Sequence, residues 1–147
     1  MALEELINEQ LTNAMKAQDK LRTETLRSIR SGIIEFKKSG IDREMNPDDE
    51  LKLLNKLVKS RKESIELYTR ANRNDLVEQE QKELEIILEF LPKQLTDEEI
   101  RATIKKIIED QQATQNDFGK IMGLSMKALS GKADGNKVRA ILNELLN

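Results

Sequence analysis

Apolar residues return at three- and four-residue steps along nearly the whole chain, and nowhere do apolar and polar residues alternate for long enough to make a strand. That period puts side chains on one face of a helix, so it predicts an all-α fold. Leu3, Leu6, Ile7, Leu11, Ala14 and Met15 mark a first helix. Asp19 is placed to cap a second, which carries Leu26, Ile29, Ile33 and Phe36 inward and ends near Gly40. Pro47 suits the start of a third helix, where its missing N–H costs nothing, and Leu51, Leu54, Val58, Ile65 and Tyr68 follow it. Asp75 with Glu78 three residues later reads as the capping pair of a fourth, running through Leu76, Leu84, Leu88 and Leu91 until Pro92 stops it.

Beyond the proline, Thr96-Asp97-Glu98-Glu99 is a capping signature that opens a fifth helix with Ile100, Ile104, Ile107 and Ile108 inward. A sixth carries Phe118, Ile121, Met122, Ser125 and Leu129 and ends at Gly131. Asp134 caps a seventh, with Val138, Ile141, Leu142 and Leu145 as its stripe. The expected architecture is a four-helix N-terminal bundle over residues 1–92 followed by a three-helix C-terminal bundle over 96–147.

The residue types narrow the chemistry. Without cysteine or histidine there is no thiolate nucleophile, no imidazole base and no usual zinc ligand. Carboxylate pairs such as Glu98 with Glu99, or Glu80 with Glu83, fall on polar helix faces, where nothing in the sequence desolvates them. The chain is therefore expected to have no catalytic, cofactor-binding or metal-binding residues and no enzymatic activity of its own. With aromatics at 3%, a base-stacking platform is not expected either. The acidic start, Met1-Ala2-Leu3-Glu4-Glu5, and apolar runs of no more than three residues lead to the expectation of a cytoplasmic protein without a membrane partner. A net charge of −2 means that any nucleic-acid site must be local.

Three constellations stand out. Gly119 and Gly123 lie four apart inside a predicted helix, where glycine costs about 1 kcal/mol relative to alanine. Close packing of a neighbouring helix of the same domain would offset that, and so would a partner reaching the bare backbone; Gly131 is a further candidate for such a groove. Gly131-Lys132-Ala133-Asp134-Gly135 is explained as a turn, with Gly131 in the left-handed conformation. Yet Lys127, Lys132, Lys137 and Arg139 surround a helix N-terminus there, which suits a phosphate. Arg22, Arg27 and Arg30 on the second helix are further phosphate candidates, guanidinium being a bidentate donor. The basic residues Lys56, Lys59, Arg61 and Lys62 on the third read as solvated, as do pairings such as Glu24 with Arg27 and Lys62 with Glu66.

Ala14-Met15-Lys16-Ala17 followed by Asp19, Arg22, Leu26 and Arg27 resembles the opening of the YqeY family. So does the run from Tyr68 through Arg73, Asp75-Leu76, Glu80, Glu83-Leu84 and Leu88 to Leu91-Pro92-Lys93-Gln94. The closing stretch, Gly119-x-x-Met122-Gly123, Met126, Gly131 to Gly135 and Val138, looks like the same family again. That family is similar to the C-terminal tail of GatB, a subunit of the enzyme that amidates misacylated Glu-tRNA(Gln). The resemblance implies a tail-like domain that grips tRNA away from the reaction centre. A glutamine-dependent carbon–nitrogen ligase label would be inherited from that likeness rather than supported by residues here. GatB tails tend to have Asn-Pro where this chain has Asp134-Gly135.

The function expected on these grounds is that of a non-catalytic tRNA-binding accessory protein. A module docking on a tRNA-handling enzyme is the alternative. A helix-turn-helix DNA reader in the last three helices, presenting Asn136, Lys137, Arg139 and Asn143, is a weaker one.

Overall fold

A computed structural model describes residues 2–147. Among them are α1 (Leu3–Lys16), α2 (Lys20–Lys38), α3 (Pro47–Arg70), α4 (Asn74–Leu88), α5 (Asp97–Gln111), a 3-10 turn at Gln115–Asp117, α6 (Phe118–Ala128) and α7 (Gly135–Leu146). No strand occurs among the described residues, and the chain is all-α. No helix is long and apolar enough to cross a membrane. Two compact units are present, one ending at Leu91 and the other running Pro92–Asn147, each with its own aliphatic interior.

In the first unit, Ile7, Leu26, Ile29, Ile33, Leu54 and Ile87 are almost wholly removed from water. Local chemistry sets the helix ends. Asp19 accepts a hydrogen bond from the Arg22 amide at 3.1 Å and so caps α2. Asn46 and Asp49 cap α3 reciprocally around Pro47, the Asp49 amide donating to Asn46 and the Asn46 amide to Asp49. Arg43, and after it the Asn46 amide, hold the Asp49 carboxyl down at about 2. The α1 start has no side-chain cap of its own; instead the Leu3 amide donates to Glu50 Oε2 on α3 at 2.7 Å.

Three expectations for this unit are corrected. Met15 lies outside the core and is exposed, because the stripe of α1 is completed by Leu3, Ile7, Leu11 and Ala14. The predicted capping pair at Asp75 and Glu78 does not form: α4 begins two residues earlier, with Arg73 in the cap position, and Asp75, already inside the helix, pairs with Arg73. The buried positions of α4 and the residues just after it are Glu83, Ile87 and Leu91, with Leu84 and Leu88 only partly buried against the same core, so a carboxylate takes a core position. Tyr68, on α3, is half-buried here.

The second unit closes around Ile100, Ile104, Ile121, Val138 and Leu142. Thr96 accepts from the Glu99 amide and Asp134 from the Asn136 amide, so both predicted caps are present. Gly131 is buried with φ +73°, the left-handed conformation that a turn after α6 requires. The segment leading into α5 is tied to that turn. Gln94 Nε2 donates to the Gly131 carbonyl at 2.7 Å and to the Pro92 carbonyl at 3.0 Å, while the Leu95 amide donates to the Lys132 carbonyl at 2.9 Å.

Candidate nucleic-acid interface

Helix α6 turns Ile121, Ser125 and Leu129 inward, which leaves Gly119, Lys120, Gly123 and Lys127 on its outer face. A Cβ added at Gly119 or at Gly123 would meet nothing within 4 Å. The two glycines therefore make no groove for a helix of their own domain. Of the two readings of this pair, close packing within the domain is the one the structure removes. The glycine that does sit under a neighbour is Gly32 on α2, where a Cβ would collide with the Leu53 side chain of α3. Single-sequence reading missed it because one glycine within a helical pattern carries no periodic mark. Gly131 serves the turn rather than a groove.

The outer face of α6 continues onto the start of α7. A Cβ on Gly135 would stand 3.0 Å from Met126 Cε, so the absence of a side chain there lets the Met126 thioether lie against the α7 N-terminus. Arg139, four residues on, is exposed on the same side of α7. Between residues 118 and 147 there are five basic residues and two acidic ones. Lys137 is drawn into an ion pair with Asp97 at 2.9 Å, and the acidic Glu144 is taken by Arg101 at 2.8 Å. Lys127, Lys132 and Arg139 are exposed, and among the described residues none of them has an ionic partner. One Asp134 carboxylate oxygen is used in capping, which leaves a negative charge near Lys132.

On α2 the three arginines have different fates. Arg22 already holds a carboxylate: its guanidinium donates to both oxygens of Glu89, at 2.8 and 3.3 Å, and also to Gln10. It is therefore occupied by a partner 67 residues away, a separation at which local pattern is silent. Arg27 and Arg30 are exposed and without an ion pair among the described residues. Of the pairings expected along the helices, Glu66 bonds Arg70 rather than Lys62.

Arg61 is not a solvated surface charge. Its side chain is only 19% exposed, and its Nε lies 3.1 Å from Glu83 and 3.5 Å from Glu80. Two carboxylates thus share one guanidinium at the edge of the core, contrary to the expectation that nothing desolvates them. Burial pushes the Glu80 carboxyl up and the Glu83 charge adds to that, while Arg61 works against both. A carboxyl raised in the folded state favours the fold while it is protonated, and that stability is lost as pH rises past the unfolded value of 4.5 and through the folded one. Glu80→Gln is therefore expected to raise the melting temperature near pH 7 and to lose that advantage below pH 4.5. A gain that is the same at both pH values would count against desolvation as the cause. Among the described residues, no group of three or more acidic side chains is placed to hold a metal ion.

Comparison with known proteins places this sequence in a family. The model of the Yqey-like protein family matches residues 4–146. The chain belongs to the YqeY family. Its relatives include the protein named altered inheritance of mitochondria protein 41, mitochondrial, of Pyrenophora tritici-repentis, 32% identical over 84% of this chain and 68% of the relative. The protein of the same name from Clavispora lusitaniae is 36% identical over 82% of this chain and 69% of its own length. The one from Lachancea thermotolerans is 42% identical over 58% of this chain but only 46% of its own length. The mitochondrial names of these YqeY relatives overturn the cytoplasmic placement expected above. That expectation rested on an acidic start and short apolar runs, and neither feature separates one aqueous compartment from another.

Proposed function

We propose that this YqeY protein is a non-catalytic tRNA-binding accessory protein, its two helical bundles working without chemistry of their own. The observation that carries the reading is the outer face of α6. Two unshielded glycines stand there beside Lys120 and Lys127, with Lys132 and Arg139 in the adjoining turn and helix and no acidic partner for these four among the described residues. A phosphodiester chain can come close to a bare helix backbone while ammonium groups neutralise it from either side. Phe118, the aromatic residue of this unit, packs against the core, so the surface suits a sugar–phosphate backbone better than unstacked bases. The resemblance to a tRNA-gripping tail supports the same choice.

Titration of labelled tRNA over a range of salt tests it. Log affinity should fall linearly with log salt, by roughly 0.9 for each duplex phosphate contacted. Gly123→Ala should stabilise the free protein by about 1 kcal/mol, because alanine is the better helix former and meets no neighbour. The same variant should bind tRNA more weakly, since the added methyl stands in the approach. A variant that gains stability and keeps full affinity would remove this face from the site, and tRNA binding that is absent or insensitive to salt would remove the function.

A second reading rests on Leu124 and Met126, apolar and exposed at the borders of the same face. They favour docking on a tRNA-handling enzyme. Association with such an enzyme that survives nuclease treatment would support this reading against the first. The DNA-reading alternative weakens because Lys137, which would have faced a groove, is engaged with Asp97.

A further inference from the structure

The segment Pro92–Thr96 opens the second unit ahead of α5, and its sequence carries nothing but a helix stop and a helix cap. The hydrogen bonds give it more to do. Gln94 Nε2 on the Gly131 carbonyl and the Leu95 amide on the Lys132 carbonyl bind this strap side by side with the turn after α6. Both are contacts across 37 residues. Two consequences follow from elementary electrostatics. Unpaired carbonyl oxygens repel phosphate oxygens, and here the two successive carbonyls of Gly131 and Lys132 are covered by donors. Lys93, exposed and without an ion pair among the described residues, is one peptide unit from Gln94, about 3.8 Å by Cα, and so belongs to the strap that is anchored to the Gly131–Lys132 turn. Gly131, buried and left-handed, gives the turn a conformation that other residues rarely adopt, and the strap fixes the next residue.

We propose that the strap is part of the RNA-binding surface: Lys93 supplies a phosphodiester contact beside Lys132, and Gln94 is the positioning residue that holds strap and turn together. This rests on the RNA reading above. It assigns to the site two residues that lie outside the basic helices and that local sequence pattern places in a connection.

The full chain, titrated with tRNA across a salt series, tests it with Lys93→Ala, Lys132→Ala, Gln94→Met and the double variant Gln94→Met/Lys132→Ala. Methionine keeps the length of glutamine and removes both donated bonds. Lys93→Ala should reduce the salt slope by about 0.9 without altering the melting temperature. Gln94→Met should weaken binding several-fold in the wild-type background and less than twofold once Lys132 is alanine, since what Gln94 maintains is the placement of Lys93 beside Lys132. Additive losses from Gln94 and Lys132, or a slope unmoved by Lys93→Ala, would overturn the proposal. Dependence on Lys132 without dependence on Lys93 or Gln94 sinks this inference alone, whereas independence from Lys132 as well sinks the RNA site at this turn.

Discussion

Arg61→Ala is expected to destabilise the first unit by about 3 kcal/mol, lowering its melting temperature by on the order of 15 °C. The size follows from what remains behind. Glu83 is 9% exposed and the Glu80 side chain 17%, and without the guanidinium their charges face each other in a partly dry site. Removing one partner of such a group costs more than the group contributes, because uncompensated charge is left buried. The loss should shrink in acid as the Glu80 carboxyl, already pushed up by burial, takes up its proton. It should also be largely recovered by the triple replacement Arg61→Met, Glu80→Leu and Glu83→Leu, which fills the same space without charge. Denaturation of the three proteins at neutral pH measures both effects. A loss below about 0.5 kcal/mol for Arg61→Ala would mean that water relieves the carboxylates and the cluster is surface-like.

Reversal of Lys127, Lys132 and Arg139 to glutamate is expected to lower tRNA affinity on the order of 100-fold and to flatten the salt slope by about 2 to 3. None of the three has an ion pair to break among the described residues, so the fold should keep its melting temperature within a degree or two, about 0.5 kcal/mol. Reversal of Lys105 and Lys106, exposed on α5, separates placement from total charge. If that pair costs as much affinity per residue as the triple, only the net charge matters and the α6–α7 surface has no privileged role.

Much of the helical framework was legible in residue order because helix signals are local. The apolar period that marks α1, α2, α5 and α7 spans one or two turns, and the caps at Asp19, Thr96 and Asp134 act within three residues. What escaped depends on partners far along the chain. Glu83 looks like any polar residue of α4 until Arg61 from α3 is brought against it, and Arg22 looks free until Glu89 arrives. The same holds for the candidate site. Gly119 and Gly123 could be picked out by number, but whether a neighbour covered them was a question of packing, as it was for Gly32, which drew no notice. Gln94 was invisible for the same reason: its bond to Gly131 has no counterpart in local pattern. Charge counting alone ranked Lys137 with Lys132, and only the position of Asp97 separates them.

The lone tyrosine, Tyr68, lies on α3, and the chain has no tryptophan. Tyrosine emission from this molecule therefore reports the N-terminal half, while the interior around Ile121 and Leu142 can melt almost without a fluorescence signal. A single sigmoid in tyrosine fluorescence would describe one half of the polypeptide. The half proposed to hold RNA would pass through its own transition in the dark.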